Sequence, residues 1–147
     1  MADNEAAVST LNDLIETCRD GQHGFQTAAG HVADAELKEL FHGYSLQRAG
    51  FVGELQDEAR RLGGEPAAEG SLAASLHRGW IDLKAAVTSG DRAVLEECGR
   101  GEEAALGAYR GALDSDLPAS VRALVERQFS EIKKARDRVR ALEDRRP

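Results

Sequence analysis

The sequence predicts an all-α protein built as a four-helix bundle. Apolar residues recur every three or four positions along most of the 147-residue chain, which is the spacing of one helix face. The chain holds 3 Pro, 1 Trp, 2 Tyr and 4 Phe, whereas β-sandwiches and barrels favour aromatic and β-branched residues. Clear helix start and stop signals separate the apolar stretches. We therefore expect one domain over residues 1–147.

The first two predicted helices cover about residues 4–32 and 35–62. The apolar seam of the first runs from Val8 to Val32 in steps of three and four, with Gln22 as its one polar member. Asp34 is a good N-cap for the second helix. That helix is expected to end at Gly63 and Gly64, which are typical of a C-cap.

Three further helices are predicted at about 72–88, 92–114 and 117–144. The first of these is a short helix that ends before Gly90, and Asp91 is the expected N-cap of the next. Pro118 marks the start of the last helix, because proline is tolerated in a first turn. The last seam again alternates steps of three and four, from Val121 to Leu142.

The lengths of the connections predict the topology. Short turns at 33–34 and near 114–117 make each flanking helix pair an antiparallel hairpin. The 28 residues of segment 63–90 are enough to run the length of the bundle, as in a ferritin-like crossover. A shift of 80 residues aligns 14–62 with 94–142 and matches nine positions, which supports two related hairpins. The matches include Cys18 with Cys98 and Gly21 with Gly101.

Four polar residues occupy inward positions near the middle of the helices. They are Gln22, Arg48, Glu102 and Gln128, and the 80-residue shift pairs Gln22 with Glu102 and Arg48 with Gln128. One cation, one anion and two amides can satisfy each other by charge-assisted hydrogen bonds. We expect a buried polar layer that fixes the register of the bundle, at the place where related bundles hold metal.

A di-iron or di-manganese site is the competing interpretation of this fold. Such a site takes a Glu from each of two helices and Glu-x-x-His from each of the other two. The chain offers one such motif, Glu39 with His42, and its repeat counterpart is Ala119 with Arg122, which cannot bind a cation. Glu54 and Glu102 are the other weak candidates for metal ligands. We therefore predict no catalytic residue and no cofactor, with iron or manganese as the alternative.

Cys18 and Cys98 both fall on apolar seams and are related by the repeat. Buried free cysteine is common packing material, and a redox disulfide or soft-metal pair is the alternative. Two cysteines do not form a disulfide scaffold, which favours a reducing cytoplasm. The acidic start of the chain does not resemble a signal peptide, and no apolar run is long enough to span a membrane.

Three motifs carry a resemblance to a known family. They are LNDLIETCRDG at 11–21, LHRGW at 76–80 and RGE at 100–102. In them the chain resembles a bacterial four-helix-bundle family of unknown function within the ferritin-like group. The resemblance implies a ferritin-like fold in a cytoplasmic bacterial protein and brings no catalytic residues. Arg136 and Gly99 stand where that family often has a histidine and an acid.

Charge is distributed unevenly along the chain. The net charge is −7, and residues 122–146 hold 9 Lys or Arg and 5 Asp or Glu, so the last helix is basic and the rest acidic. Because acids interleave with the bases, the pattern favours a solvated helix or an oligomer contact over nucleic-acid binding. We expect a weak homodimer in which the last helix meets an acidic face of its neighbour. The predicted function is a non-enzymatic structural or interaction protein, and a stress-related role is implied only by the resemblance. The alternatives are a metal-binding ferritin-like oxidoreductase or iron-storage protein, and a nucleoid-associated bundle.

Overall fold

Four long helices make up the protein. The computed structural model describes residues 2–67, 80, 86 and 89–146, and no strand occurs among them. The helices are α1 (Ala2–His31), α2 (Ala35–Arg61), α3 (Asp91–Leu113) and α4 (Ala119–Asp144). Pro118 is the N-cap of α4, so this helix begins two residues later than the sequence pattern suggests. The short helix predicted at 72–88 lies outside the described residues apart from Trp80 and Ala86.

Charged side chains join the helix ends at one end of the bundle. Asp34 caps α2 by accepting hydrogen bonds from the backbone N–H groups of Glu36 and Leu37. Gly90 is the N-cap of α3, so the prediction of Asp91 as the N-cap is wrong, and Asp91 is the first helical residue. Its carboxylate accepts instead from the N–H groups of Ala33 and Asp34 at 2.8 and 3.0 Å. Arg146, just after α4, donates to Asp34 at 2.7 Å. The end of α1, the starts of α2 and α3 and the end of α4 therefore meet here.

The opposite end is closed by the segment that follows α2. Gly63 has a φ of +84°, which an L side chain rarely adopts, and Gly64 donates its N–H to the carbonyl of Ala59. Asn12 of α1 holds the next residues, because its side chain donates to the Glu65 carbonyl and accepts from the Ala67 N–H. This hydrogen bonding starts the crossover along α1.

The apolar core is divided into two clusters along the bundle axis. The aliphatic cluster lies towards the Gly63 end, and the aromatic cluster lies towards the Asp34 end. The aliphatic cluster includes Leu11, Ile15, Leu55, Leu106 and Val125, all fully buried. The aromatic cluster includes Phe25, Phe41, Trp80, Val94 and Val139. In α2 and α3 the residues between the two clusters are polar, which places a charged layer across the middle of the protein.

The helices pack unequally against each other. α1 packs against both α2 and α3, and α3 packs against α4, whereas α2 and α4 touch less. A groove of about 540 Å³ opens between the start of α2 and the end of α4, lined by residues that include Leu37, Leu40, Tyr44, Arg138 and Leu142. Among the described residues, no helix combines the length and apolar character needed to cross a membrane.

Candidate functional site

A buried ion pair lies at the centre of the bundle. Arg48 of α2 donates from both terminal nitrogens to the carboxylate of Glu102 in α3, at 2.6 and 2.5 Å. The side chains are 1% and 0% exposed. Two parallel charge-assisted hydrogen bonds are the strongest arrangement available to an arginine and a carboxylate. The pair joins two helices that belong to different helix pairs of the bundle.

The surroundings of Arg48 are shaped to hold its guanidinium group. A Cβ atom at Gly21 of α1 would lie 3.0 Å from the Arg48 Nη1 atom, so the glycine leaves the space that the arginine fills. The guanidinium carbon lies 5.4 Å from the centre of the Phe25 ring, within reach of a cation–π contact. Burial alone would lower the pKa of Arg48, but the charge and hydrogen bonds of Glu102 more than offset it and raise the pKa. The arginine is therefore a permanent internal cation.

A second polar network borders the ion pair on the side of the aliphatic cluster. Tyr109 donates to the Gln128 side-chain oxygen at 2.7 Å, and the Cys18 sulfur lies 3.0 Å from the same tyrosine oxygen. Since the tyrosine proton goes to Gln128, the thiol is the donor to Tyr109. Gln128 donates in turn to Glu54 at 3.2 Å, and Glu54 accepts from Arg127. Hydrogen bonds thus connect a buried thiol with a carboxylate at the surface.

Three of the four residues predicted for the polar layer lie in these two neighbouring networks. Arg48, Glu102 and Gln128 are fully buried, as the helical spacing indicates. Gln22 is half-buried, and its backbone carbonyl accepts a hydrogen bond from Ser45. The sequence predicts a second amide in this layer, but the hydrogen-bond donor to Gln128 is Tyr109. Its position on the α3 seam, two turns after Glu102, is the signal that could have identified it.

The two cysteines lie in different parts of the core. Cys18 belongs to the aliphatic cluster and Cys98 to the aromatic cluster, and both are free and buried. Burial raises the pKa of Cys18 to about 11, although the positive charge of Arg48 works in the opposite direction. Burial raises the pKa of Cys98 well above its ordinary value. Both thiols are therefore protonated and weakly nucleophilic at neutral pH.

The weak candidates for metal ligands do not converge. Glu39 and His42 lie on the exposed side of α2. Glu54 is engaged by Arg127 and Gln128, and both oxygens of Glu102 are engaged by Arg48. Within the part of the chain that the structure describes, no group of three or more His, Cys, Asp or Glu residues is arranged to hold a metal ion.

Trp80 of the crossover is inserted between α1 and α3. A Cβ atom at Gly24 or at Gly101 would overlap the indole ring, so a glycine on each helix makes the slot. The indole meets the Phe25 ring edge-on at 5.2 Å, and its residue is 7% exposed. Because Phe25 contacts Arg48 and Gly101 precedes Glu102, Trp80 covers one side of the ion pair. The two mid-helix glycines thus permit close approach of the indole to both helices.

Comparison with known proteins gives a family without an assigned activity. No curated protein matches the chain. Residues 6–115 match a family described as a domain of unknown function, DUF2383, and this range covers α1, α2, the crossover and α3. It also contains Arg48, Glu102 and Trp80, and it ends before Gln128. The chain belongs to this DUF2383 family.

Proposed function

We propose that the protein is a non-enzymatic structural or interaction protein whose ferritin-like bundle is closed at its centre by an ion pair. The observation that carries this proposal is the buried contact between Arg48 and Glu102. It places a permanent cation where a ferritin-like enzyme would bind metal cations. Two positive centres at the same place in an apolar bundle would repel each other strongly.

The contacts at the helix ends support an antiparallel arrangement of two hairpins. Asp91 and Arg146 bind the α1–α2 turn, and Arg61 donates to Ser120 where α2 ends and α4 begins. Helices that are neighbours in the bundle then run in opposite directions, with the crossover joining the two hairpins. This is the topology of ferritin-like bundles with one long connection.

The chemistry of the side chains at the centre supports a role without a metal. A di-metal centre needs about four carboxylates for charge and a histidine for each ion. Here Glu102 is neutralised by Arg48, and its neighbours are a tyrosine, an amide and a thiol with a raised pKa. Such groups hold helices in register, and they do not supply ligands for two hard cations.

Metal analysis of the untagged protein tests the proposal. After aerobic loading with Fe²⁺ and removal of loose ions, we expect under about one iron per chain and no ferroxidase activity. The double variant Glu39→Gln, His42→Asn is the control for adventitious surface binding, and it should remove any iron that the exposed pair retains. Two tightly held ions per chain would overturn the proposal and favour a ferritin-like oxidoreductase or iron-storage protein.

A further inference from the structure

The outer face of α2 carries a second helical stripe, on the side away from the core. It consists of every third or fourth residue from Glu36 to Arg60, in the alternating steps that define a helix seam. Its members are exposed, except for the half-buried Gly53. The middle of the stripe is apolar or small and consists of Gly43, Leu46, Gly50 and Gly53. The buried residues of α2 lie on the opposite face, so core packing does not account for the choice of residues in this stripe.

Leu46 is the prominent residue of this stripe. Its side chain is 61% exposed, and among the described residues no other large hydrophobic side chain is exposed. A Cβ atom at Gly43, Gly50 or Gly53 would meet no described atom within 4 Å. The stripe therefore offers one apolar knob beside a strip of bare backbone, which a second helix can approach closely.

The order of residues in the stripe is self-complementary about Arg48. If a second α2 lies antiparallel, with a two-fold axis at the level of Arg48, Leu46 faces Gly50 of the second copy. Gly43 then faces Gly53 of the second copy. Leu46 then enters the space that Gly50 leaves, as a knob enters a hole in a coiled coil. A two-fold axis repeats each contact, as in most homodimers.

Charges at the ends of the stripe favour the same orientation. Glu36, near the start of α2, faces Arg60 of the second copy, which is an opposite-charge contact formed twice. Glu39 faces Asp57 of the second copy, which is a like-charge contact, but Asp57 already pairs with Arg60 of its own chain at 3.5 Å. The charges therefore nearly cancel, and the apolar centre decides the strength of the contact.

The basic last helix is less available for such a contact than its composition suggests. Arg127 pairs with Glu54, Arg136 with Glu103, and Arg146 with Asp34. These ion pairs use two cations of α4, and the arginine just after it, inside the chain. The dimer contact is therefore better assigned to α2 than to α4.

We propose that the outer face of α2 is the surface through which two copies of this chain associate, antiparallel and with Leu46 against Gly50. The inference rests on the proposed role as an interaction protein and names its partner. The contact area of one helix pair is small, so the dimer is weak and exchanges readily.

Sedimentation equilibrium over a wide concentration range tests the contact. Leu46→Glu should weaken the dimer about tenfold or more, because a charge replaces the apolar knob. Gln26→Glu adds the same charge on the exposed face of α1 and should leave the dissociation constant unchanged. Glu39→Gln should tighten the dimer by about twofold to threefold, because it removes the like-charge contact. Unchanged association of Leu46→Glu, or a wild-type monomer throughout, would overturn the proposal.

Salt and cross-linking separate this contact from one made by α4. Raising the salt to about 1 M should change the dissociation constant less than about threefold, whereas a dimer held by α4 charges would dissociate. The single variants Leu46→Cys and Gly50→Cys should form a disulfide-linked dimer when mixed and oxidised, but neither should do so alone. Failure of the mixture to cross-link faster than the separate variants would contradict the antiparallel register.

The outcomes of these tests are independent of the metal analysis. A monomeric protein without tightly bound iron would contradict the α2 contact and leave the proposed function standing. A dimer with two iron ions per chain would contradict the proposed function and leave the α2 contact standing.

Discussion

Gly21 and Gly101 occupy matching positions in the α1–α2 pair and the α3–α4 pair, 80 residues apart, but they make room for different groups. The space at Gly21 holds the Arg48 guanidinium, and the space at Gly101 holds the indole of Trp80. Arg48 comes from the neighbouring helix of the same pair, whereas Trp80 comes from the crossover, which occurs once in the chain. The repeat thus fixes where the space lies, and the local sequence decides what fills it.

The two cysteines show the same difference. Cys18 donates to Tyr109 and lies near Arg48, whereas Cys98 is surrounded by the aromatic cluster. Both thiols have a raised pKa because of burial, but only the rise at Cys18 is partly offset by a nearby positive charge, that of Arg48. The surroundings of matching positions in the two helix pairs therefore differ in polarity. Gly21 and Cys18 lie near the charged Arg48, whereas Gly101 lies against Trp80 and Cys98 lies in the aromatic cluster.

Glu102→Ala should give the largest loss of stability, because it removes the anion from one helix pair and leaves the cation of the other buried. We expect a cost of about 3 kcal/mol in the free energy of unfolding. Replacing both Arg48 and Glu102 by Leu should recover most of that loss, since no charge is then buried. Urea unfolding of the wild type and the two variants measures the effect. An unchanged midpoint for Glu102→Ala would show that the ion pair does not hold the two helix pairs together.

Alkaline pH should reveal the burial of the two thiols. Each thiol has a higher pKa in the folded chain than in the unfolded chain, where it is about 9, so the unfolded chain loses its protons first. The contribution of the thiols to stability is then present below pH 9 and is lost as the pH rises, by about 2 kcal/mol from Cys18 by pH 11. Cys18→Ala and Cys98→Ala should each reduce this slope. Equal slopes in all three proteins would contradict the burial of both thiols.

Gly101→Ala and Gly21→Ala should separate the two occupants of the matched spaces. In Gly101→Ala the new methyl group overlaps Trp80, which should cost about 1–3 kcal/mol. Gly21→Ala should cost less, because the flexible end of Arg48 can shift. Trp80 is the single tryptophan, so its emission should shift to longer wavelength only in Gly101→Ala. Gly107→Ala, where a Cβ meets nothing within 4 Å, is the control, and it should stabilise the protein by up to about 1 kcal/mol.

Asp34→Ala should give a smaller effect and test the matched turns. Asp34 caps α2, whereas its repeat counterpart Asp114 follows α3 and contributes its backbone N–H to the end of that helix. We expect Asp34→Ala to cost about 1 kcal/mol and Asp114→Ala to cost a few tenths. Thermal unfolding of the two variants is the comparison. An equal loss in both would mean that the cap contributes little beyond the ion pair with Arg146.

Much of the fold follows from local sequence signals. The seams in steps of three and four lie on the four helices, and their predicted ends differ from the observed ends by at most two residues. Asp34, Gly63 and Pro118 act at helix ends through their own backbone geometry or side chains, which is why the sequence identifies them. The 80-residue repeat also aligns α1 with α3 and α2 with α4.

The sequence predicts which residues lie in the central site better than it predicts the hydrogen bonds between them. The spacing places Arg48, Glu102 and Gln128 inside the bundle, because each interrupts an apolar seam. It does not reveal that Arg48 pairs across to α3 or that Gln128 accepts its hydrogen bond from Tyr109. Those choices depend on the rotation of each helix about its axis, which apolar spacing defines only to within part of a turn. The contact of Trp80 with both glycines was also hidden, because it depends on the path of the crossover.

The central ion pair also has a consequence for the order of folding. Arg48 and Glu102 lie 54 residues apart and belong to different helix pairs, so each stays in water until the two pairs meet. Turns such as that at Asp34 involve residues close in sequence and can form earlier. Loss of the ion pair should therefore accelerate unfolding and leave the folding rate nearly unchanged. The charges at the centre then act as a kinetic barrier against separation of the two helix pairs.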